Sequence, residues 1–182
     1  FGNPVHCIGL AYFCNKLATM TANGALNDEM KKNFIELLDK FVRTCDTKHL
    51  PLWISPFVGA CGIFGEGCVN TLTQKASPFS NEHARHAVFI LYAAVTKIAH
   101  AMPGLLTQVH VHFVFLALQF KAYSLACRVL DFGVFDIGHG QNVFVTPEQY
   151  LLYFYYAAAV RIGLKQWDRA IADLLLVLTP PT

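Results

Sequence analysis

What this sequence has least of is charge. Fourteen basic and twelve acidic side chains amount to 14% of 182 residues, where roughly 25% is usual in a soluble domain. A net charge of +2 and a pI near 8.3 leave no basic footprint for nucleic acid or for an acidic lipid surface. The hydrophobic fraction is 54% and the mean hydropathy +0.40, which excludes disorder. Two classes remain: a membrane protein, or a helical chain that buries surface against something else.

The signatures of reactive sites are missing too. Cys7, Cys14, Cys45, Cys61, Cys68 and Cys127 include no Cys-x-x-Cys pair, so the common zinc and redox spacings are absent. Spread singly through helical patterns, they read as small buried hydrophobes of a reducing compartment, with disulfides as the alternative. Gly59, Gly62, Gly65 and Gly67 are not followed by the Lys-Ser/Thr of a phosphate loop and do not make a Gly-x-Gly-x-x-Gly. Close helix contact is the reading for them. Ser77, Ser80 and Ser124 lack a Gly-x-Ser-x-Gly context.

His83 and His86, three apart, share a helix face and could reach one metal, but no third ligand or His-Glu-x-x-His accompanies them. His110 and His112, two apart, point away from each other on a helix. Packed or solvated histidines are expected at both places, and no catalytic residue, metal site or cofactor. No basic n-region followed by an apolar run and a cleavage site stands at the N-terminus, though a fragment could have lost one. It runs from Phe1 to Thr182, which reads as a piece of a longer protein.

The longest stretch without Asp, Glu, Lys or Arg is Ile98 to Phe120, long enough to cross a bilayer. It holds His100, Gln108, His110, His112 and Gln119, and Met102-Pro103-Gly104 divides it, so membrane spanning is the weaker of the two classes.

What is present is helical periodicity. Val5 to Met20 makes a first helix, broken at Thr21-Ala22-Asn23-Gly24. Asn27 is placed to cap a second, with Asp28 and Glu29 in its first turn. Phe34, Leu37, Leu38, Phe41 and Val42 form its apolar face, opposite Lys31, Lys32, Glu36, Asp39 and Lys40. A third helix runs from near Lys48 into the 60s, with Pro56 expected to bend or restart it. Ser80-Asn81 starts a fourth, with Val88, Leu91, Ala94, Val95 and Ile98 as its buried stripe. Leu105 to Phe120 and Lys121 to Leu130 read as a pair. Asp131 to Thr146, with Gly133, Gly138, Gly140 and Asn142, is the longest loop. Thr146-Pro147-Glu148 starts a helix that continues as Tyr150 to Leu164. Trp167 to Leu178 follows, stopped by Pro180-Pro181. The aromatic run Tyr150, Tyr153, Phe154, Tyr155 and Tyr156 lacks interleaved bases, so it reads as packing rather than base stacking.

From Leu151 on, the chain fits the 34-residue tetratricopeptide template. Ala157 and Ala158 fall at the close-contact point of the first helix. Trp167 takes the aromatic place that fills the wedge, Ala170 the crossing point, and Leu174 the later bulky place. These five are the predicted repeat-packing residues. Earlier pairs match poorly. The fold expected over residues 1–182 is thus all-α: a right-handed superhelix of antiparallel helix pairs, degenerate tetratricopeptide-like repeats, about eight helices.

Three segments add a resemblance. Phe41-Val-Arg-Thr-Cys-Asp-Thr-Lys-His49, Leu106-Thr-Gln-Val-His110 and Tyr150-Leu-Leu-Tyr-Phe-Tyr-Tyr-Ala-Ala158 with Ile162-Gly-Leu-Lys-Gln-Trp-Asp-Arg-Ala170 resemble the N-terminal part of the COP-9 signalosome subunit 3 family. Ala157-Ala158 stand where family members tend to have two glycines, and Val69 to Ala101 matches poorly. The resemblance implies a helical-repeat arm followed by a winged-helix PCI domain. It implies a non-catalytic scaffold role in a complex that removes a ubiquitin-like modifier from cullins, whose metal site belongs to another subunit. Subunits 1 and 8 are the implied neighbours, cullin-RING ligases indirect partners, and cytoplasm and nucleus the implied location. The alternatives are a repeat arm of the proteasome lid or of initiation factor three, then a small membrane protein. The apolar excess predicts exposed patches near Leu174 to Leu178 that further chain or partners cover.

Overall fold

The computed structural model describes residues 4–23, 27–137 and 144–179, and over these the chain folds into eight α-helices. They are α1 Pro4–Ala22, α2 Asp28–Thr44, α3 Ile54–Leu72, α4 Asn81–Ala101, α5 Gln108–Gln119, α6 Tyr123–Leu130, α7 Pro147–Gly163 and α8 Trp167–Leu178. No strand occurs among the described residues. A single isolated bridge joins Leu105 to Asp136.

Local chemistry sets the boundaries. The Asn27 side chain accepts from the Met30 N–H at 2.8 Å, and Asp28 and Glu29 follow at the positive end of the helix dipole. Ser80 and His83 close a reciprocal box at the start of α4, as Thr146 and Gln149 do at the start of α7. Pro56 does restart a helix. The chain makes a 3-10 turn at Leu50–Trp53 and begins α3 at Ile54, which puts Pro56 in the first turn, where its missing N–H has no intrahelical partner to lose. After α4, Gly104 adopts φ +79°, a left-handed conformation that favours glycine, and the chain reverses.

One boundary differs from expectation. The helix predicted from Leu105 begins at Gln108, because the backbone of the preceding residues is engaged by the following loop. Leu106 N–H donates to Asp136 O at 2.8 Å and Gln108 N–H to Phe144 O at 3.0 Å. Gly24, Gly138, Gly140, Asn142 and Pro180-Pro181 lie outside the described residues.

The helices stack in two rows. α1 packs on α3, α3 on α5 and α5 on α7, while α2 contacts α4 and α4 contacts α6. Cross-contacts such as α4 with α5 and α7 with α8 join the rows. Sequence chemistry follows this division. The four odd-numbered helices carry only Lys16, Glu66, Glu148 and Arg161 as charged residues, whereas the even-numbered ones carry fifteen, eight of them on α2. A helix flanked on both sides by its own row and covered by the other has little surface left for charge. α5 is the extreme case, with every residue from Val109 to Ala117 buried.

One described helical stretch, Leu50–Leu72, is apolar and long enough to cross a membrane by length and composition, and 61% of its apolar window is buried inside the protein. That is the middle of the odd row. The charge-free stretch Ile98 to Phe120 is not one helix but the end of α4, a non-helical connection and α5.

Candidate interaction surface

Of the five predicted packing residues, Ala157 and Ala158 on α7 and Ala170 on α8 are buried. Leu174 is half-buried. Trp167 differs from expectation. It is 57% exposed, at the first position of α8 immediately after the Leu164–Gln166 turn, and fills no wedge.

A buried ion pair ties α7 to α8 instead. Arg161 Nη1 donates to Asp173 Oδ1 at 2.8 Å, with both side chains largely buried. Arg161 Nε and Asp173 Oδ2 make no hydrogen bond among the described residues. Burial lifts the Asp173 carboxyl to about 6 although the Arg161 charge pulls it down, and burial also pushes the Tyr153 phenol up. Sequence reasoning missed this pair; its signal was one acid and one base within largely apolar helices.

The glycines of α3 serve close contact. A Cβ at Gly62 would lie 2.2 Å from Gln108 Nε2, and one at Gly65 would lie 2.9 Å from His112 Cβ, so α5 packs directly against the bare backbone of α3. At Gly59 and Gly67 the neighbours are Asn15 and Phe79.

The histidines divide in two. His83 Nδ1 accepts from Ser80 N–H as part of the α4 cap, and His86 lies one turn on at the surface. His110 and His112 are both buried in α5, and burial pushes each down to about 4, so they are neutral. His110 Nδ1 lies 3.0 Å from Thr107 Oγ1. No group of three or more His, Cys, Asp or Glu among the described residues is arranged to hold a metal. No disulfide joins the six cysteines, five of which are buried, and burial pushes Cys14 and Cys45 up to about 11. Thiols held protonated this way are poor nucleophiles. The aromatic run of α7 packs mostly inward: Tyr153 and Phe154 are buried, and Tyr156 meets Phe115 at 5.2 Å between ring centroids.

Beside Asp168 and Arg169, α8 presents apolar side chains outward. Trp167, Ile171, Leu175 and Leu178 recur at i, i+4, i+8 and i+11, and all four are exposed, Leu178 to 77%. The repeat on one helix face makes a contiguous stripe, of the kind that marks an interaction surface.

Residues 4–182 match the protein family described as COP9 signalosome complex subunit 3, N-terminal helical repeats. The chain belongs to that family. COP9 signalosome complex subunit 3 of Arabidopsis thaliana is 26% identical over 176 residues, covering 97% of this chain and 36% of the plant protein. Its counterpart of the same name in Drosophila melanogaster is 24% identical over 190 residues, covering 97% of this chain and 40% of the fly protein. The chain thus spans under half the length of these subunit 3 relatives. No solved structure matches it. The two rows of stacked helices agree with the helical repeats in the family's description, and the α8 stripe lies at the C-terminal end of the family's match.

Proposed function

We propose that this chain is the N-terminal helical-repeat arm of a COP9 signalosome subunit 3, and that it acts as a non-catalytic scaffold. The family match across nearly the whole chain carries this reading. The apolar stripe on α8 supports it, since a helix at the end of a repeat array leaves uncovered the face that the next repeat would bury. In this reading the stripe packs against further helices of the same subunit, and the array curves as a right-handed superhelix. A winged-helix PCI domain completes the subunit and joins it to subunits 1 and 8. The assembled complex removes a ubiquitin-like modifier from cullins, and so regulates cullin-RING ligases in cytoplasm and nucleus. Catalysis belongs to another subunit.

Affinity purification of the full-length protein tests this. Co-purification of the other signalosome subunits in stoichiometric amounts is the expected result. Recovery with proteasome-lid or initiation-factor-three subunits in their place would refute it, as would stoichiometric tightly bound zinc on the purified subunit.

A further inference from the structure

The even row carries a surface that the array itself does not use. α2 and α4 pack less closely than the odd neighbours do, and the groove between them holds cavities of about 590 Å³ and 340 Å³ that meet at Phe89. Phe89 is 52% exposed, a large apolar ring in the middle of the more charged row. Along α4 the outward positions Glu82, His86, Phe89, Ala93 and Thr96 recur at helical spacing, a lane of about 20 Å.

The rim is basic on balance. Lys32, Arg43, Arg85 and Lys97 line the two cavities, against Glu36 and Glu82 and against Asp39, which is paired with Arg43. Three of these bases are held in place by neighbours. Arg43 Nε bonds Asp39 at 2.7 Å, the Arg85 guanidinium lies over the Phe120 ring at 5.7 Å, and Lys97 donates to the Cys45 carbonyl. Arg43 and Arg85 keep further N–H donors for a ligand, since each guanidinium has five. A groove with an exposed aromatic at its centre and fixed cations at its edges matches the helix-in-groove mode of recognition.

We propose that the α2–α4 groove docks an acidic amphipathic helix from a partner protein, with a large apolar side chain beside Phe89 and carboxylates over Lys32, Arg85 and Arg43. Charge argues against a second copy of this chain as the occupant. Its own exposed apolar helix faces carry little acid: α8 has Asp168 beside Arg169 at the surface, and α1, with Tyr12 and Phe13 exposed, has only Lys16. The inference is independent of which assembly the arm belongs to.

The test is a photo-crosslinking amino acid placed at Phe89 of the full-length protein within its purified assembly, with the adduct identified by mass spectrometry. The expected adduct is a segment of another chain, rich in Asp and Glu, with apolar residues at helical spacing. Lys32→Glu with Arg85→Glu should lower its yield about tenfold, and changing two acids of the captured segment to Lys should restore it. Both positions are at the surface, so an unchanged circular dichroism spectrum is expected of the double variant. An adduct only to a second copy, to the same chain or to a basic segment would overturn the proposal. So would no adduct, or a yield indifferent to the charge reversal.

Discussion

Acidification should loosen this array through the two histidines buried in α5. His110 and His112 have folded values near 4, against 6.5 for an ordinary histidine. A group depressed in the folded state leaves stability intact above its unfolded value and takes it away as pH falls toward the folded one. The loss therefore falls between about pH 6.5 and pH 4, where the unfolded chain binds protons that the folded chain refuses. Between about pH 7 and pH 5 each histidine removes roughly 2 kcal/mol, about 4 for the pair. Asp173 works in the opposite direction. Its folded value of about 6 lies above the ordinary 3.8, so its contribution is present at low pH and lost as pH rises through 6. Over the same interval it returns roughly 1 kcal/mol, leaving a net loss of about 2 to 3. That is a large share of a typical stability of about 5–15 kcal/mol. Urea unfolding of the 182-residue chain at the two pH values measures it. His112→Leu should reduce the net loss to about 1 kcal/mol or less, because one of the two proton-binding sites of the unfolded state is gone. Equal stability at the two pH values, or a His112→Leu variant that keeps the whole loss, would refute the burial argument.

Other perturbations separate neighbouring roles. Gly65→Ala should cost about 1–3 kcal/mol, because the new methyl meets His112 Cβ close to the α5 backbone. Gly62→Ala should be neutral or stabilising by up to about 1 kcal/mol, since the Gln108 amide can swing away and alanine favours the helix; chemical denaturation of the pair decides whether backbone contact sets the cost. Arg161→Leu should destabilise by about 3–5 kcal/mol by leaving the Asp173 carboxylate buried alone, while Arg161→Leu with Asp173→Leu recovers most of that. Thermal melts of the single and double variants read the difference. Trp167→Ser with Leu178→Ser should change the unfolding free energy of the chain by less than about 1 kcal/mol in urea unfolding. A large loss of stability would restore the wedge-filling role that Trp167 does not have here.

Much of the fold was legible because local rules and tertiary packing agree at the same residues. Asn27, Ser80 and Thr146 cap the helices they were expected to cap, since each places an oxygen over otherwise unsatisfied N–H groups. The stripe of α4 is buried as its period requires. Elsewhere a remote partner decided. Leu105 to Thr107 read as helix, but the Leu106 N–H is committed to Asp136 in the loop that follows α6, and sequence spacing carries no sign of that. Trp167 suited a repeat template by position, whereas its burial depends on how the turn before it aims α8. The Arg161–Asp173 pair was invisible for a similar reason: on a helical wheel each looks like a surface charge, and only the crossing of α7 and α8 brings them together. The stacking of alternate helices was also hidden. The charge deficit was its trace, since the missing charges are those of the odd row.

That stacking also limits how far a disturbance travels. Among the described residues, every substantial contact between α-helices joins helices no more than two apart in the order α1 to α8. Such an array has no single keystone: its stability is close to a sum over neighbours. A lesion in α8 should fray the last hairpin and leave α1 to α4 protected from hydrogen exchange, and force applied across the ends should peel helices off in order rather than break the arm at once.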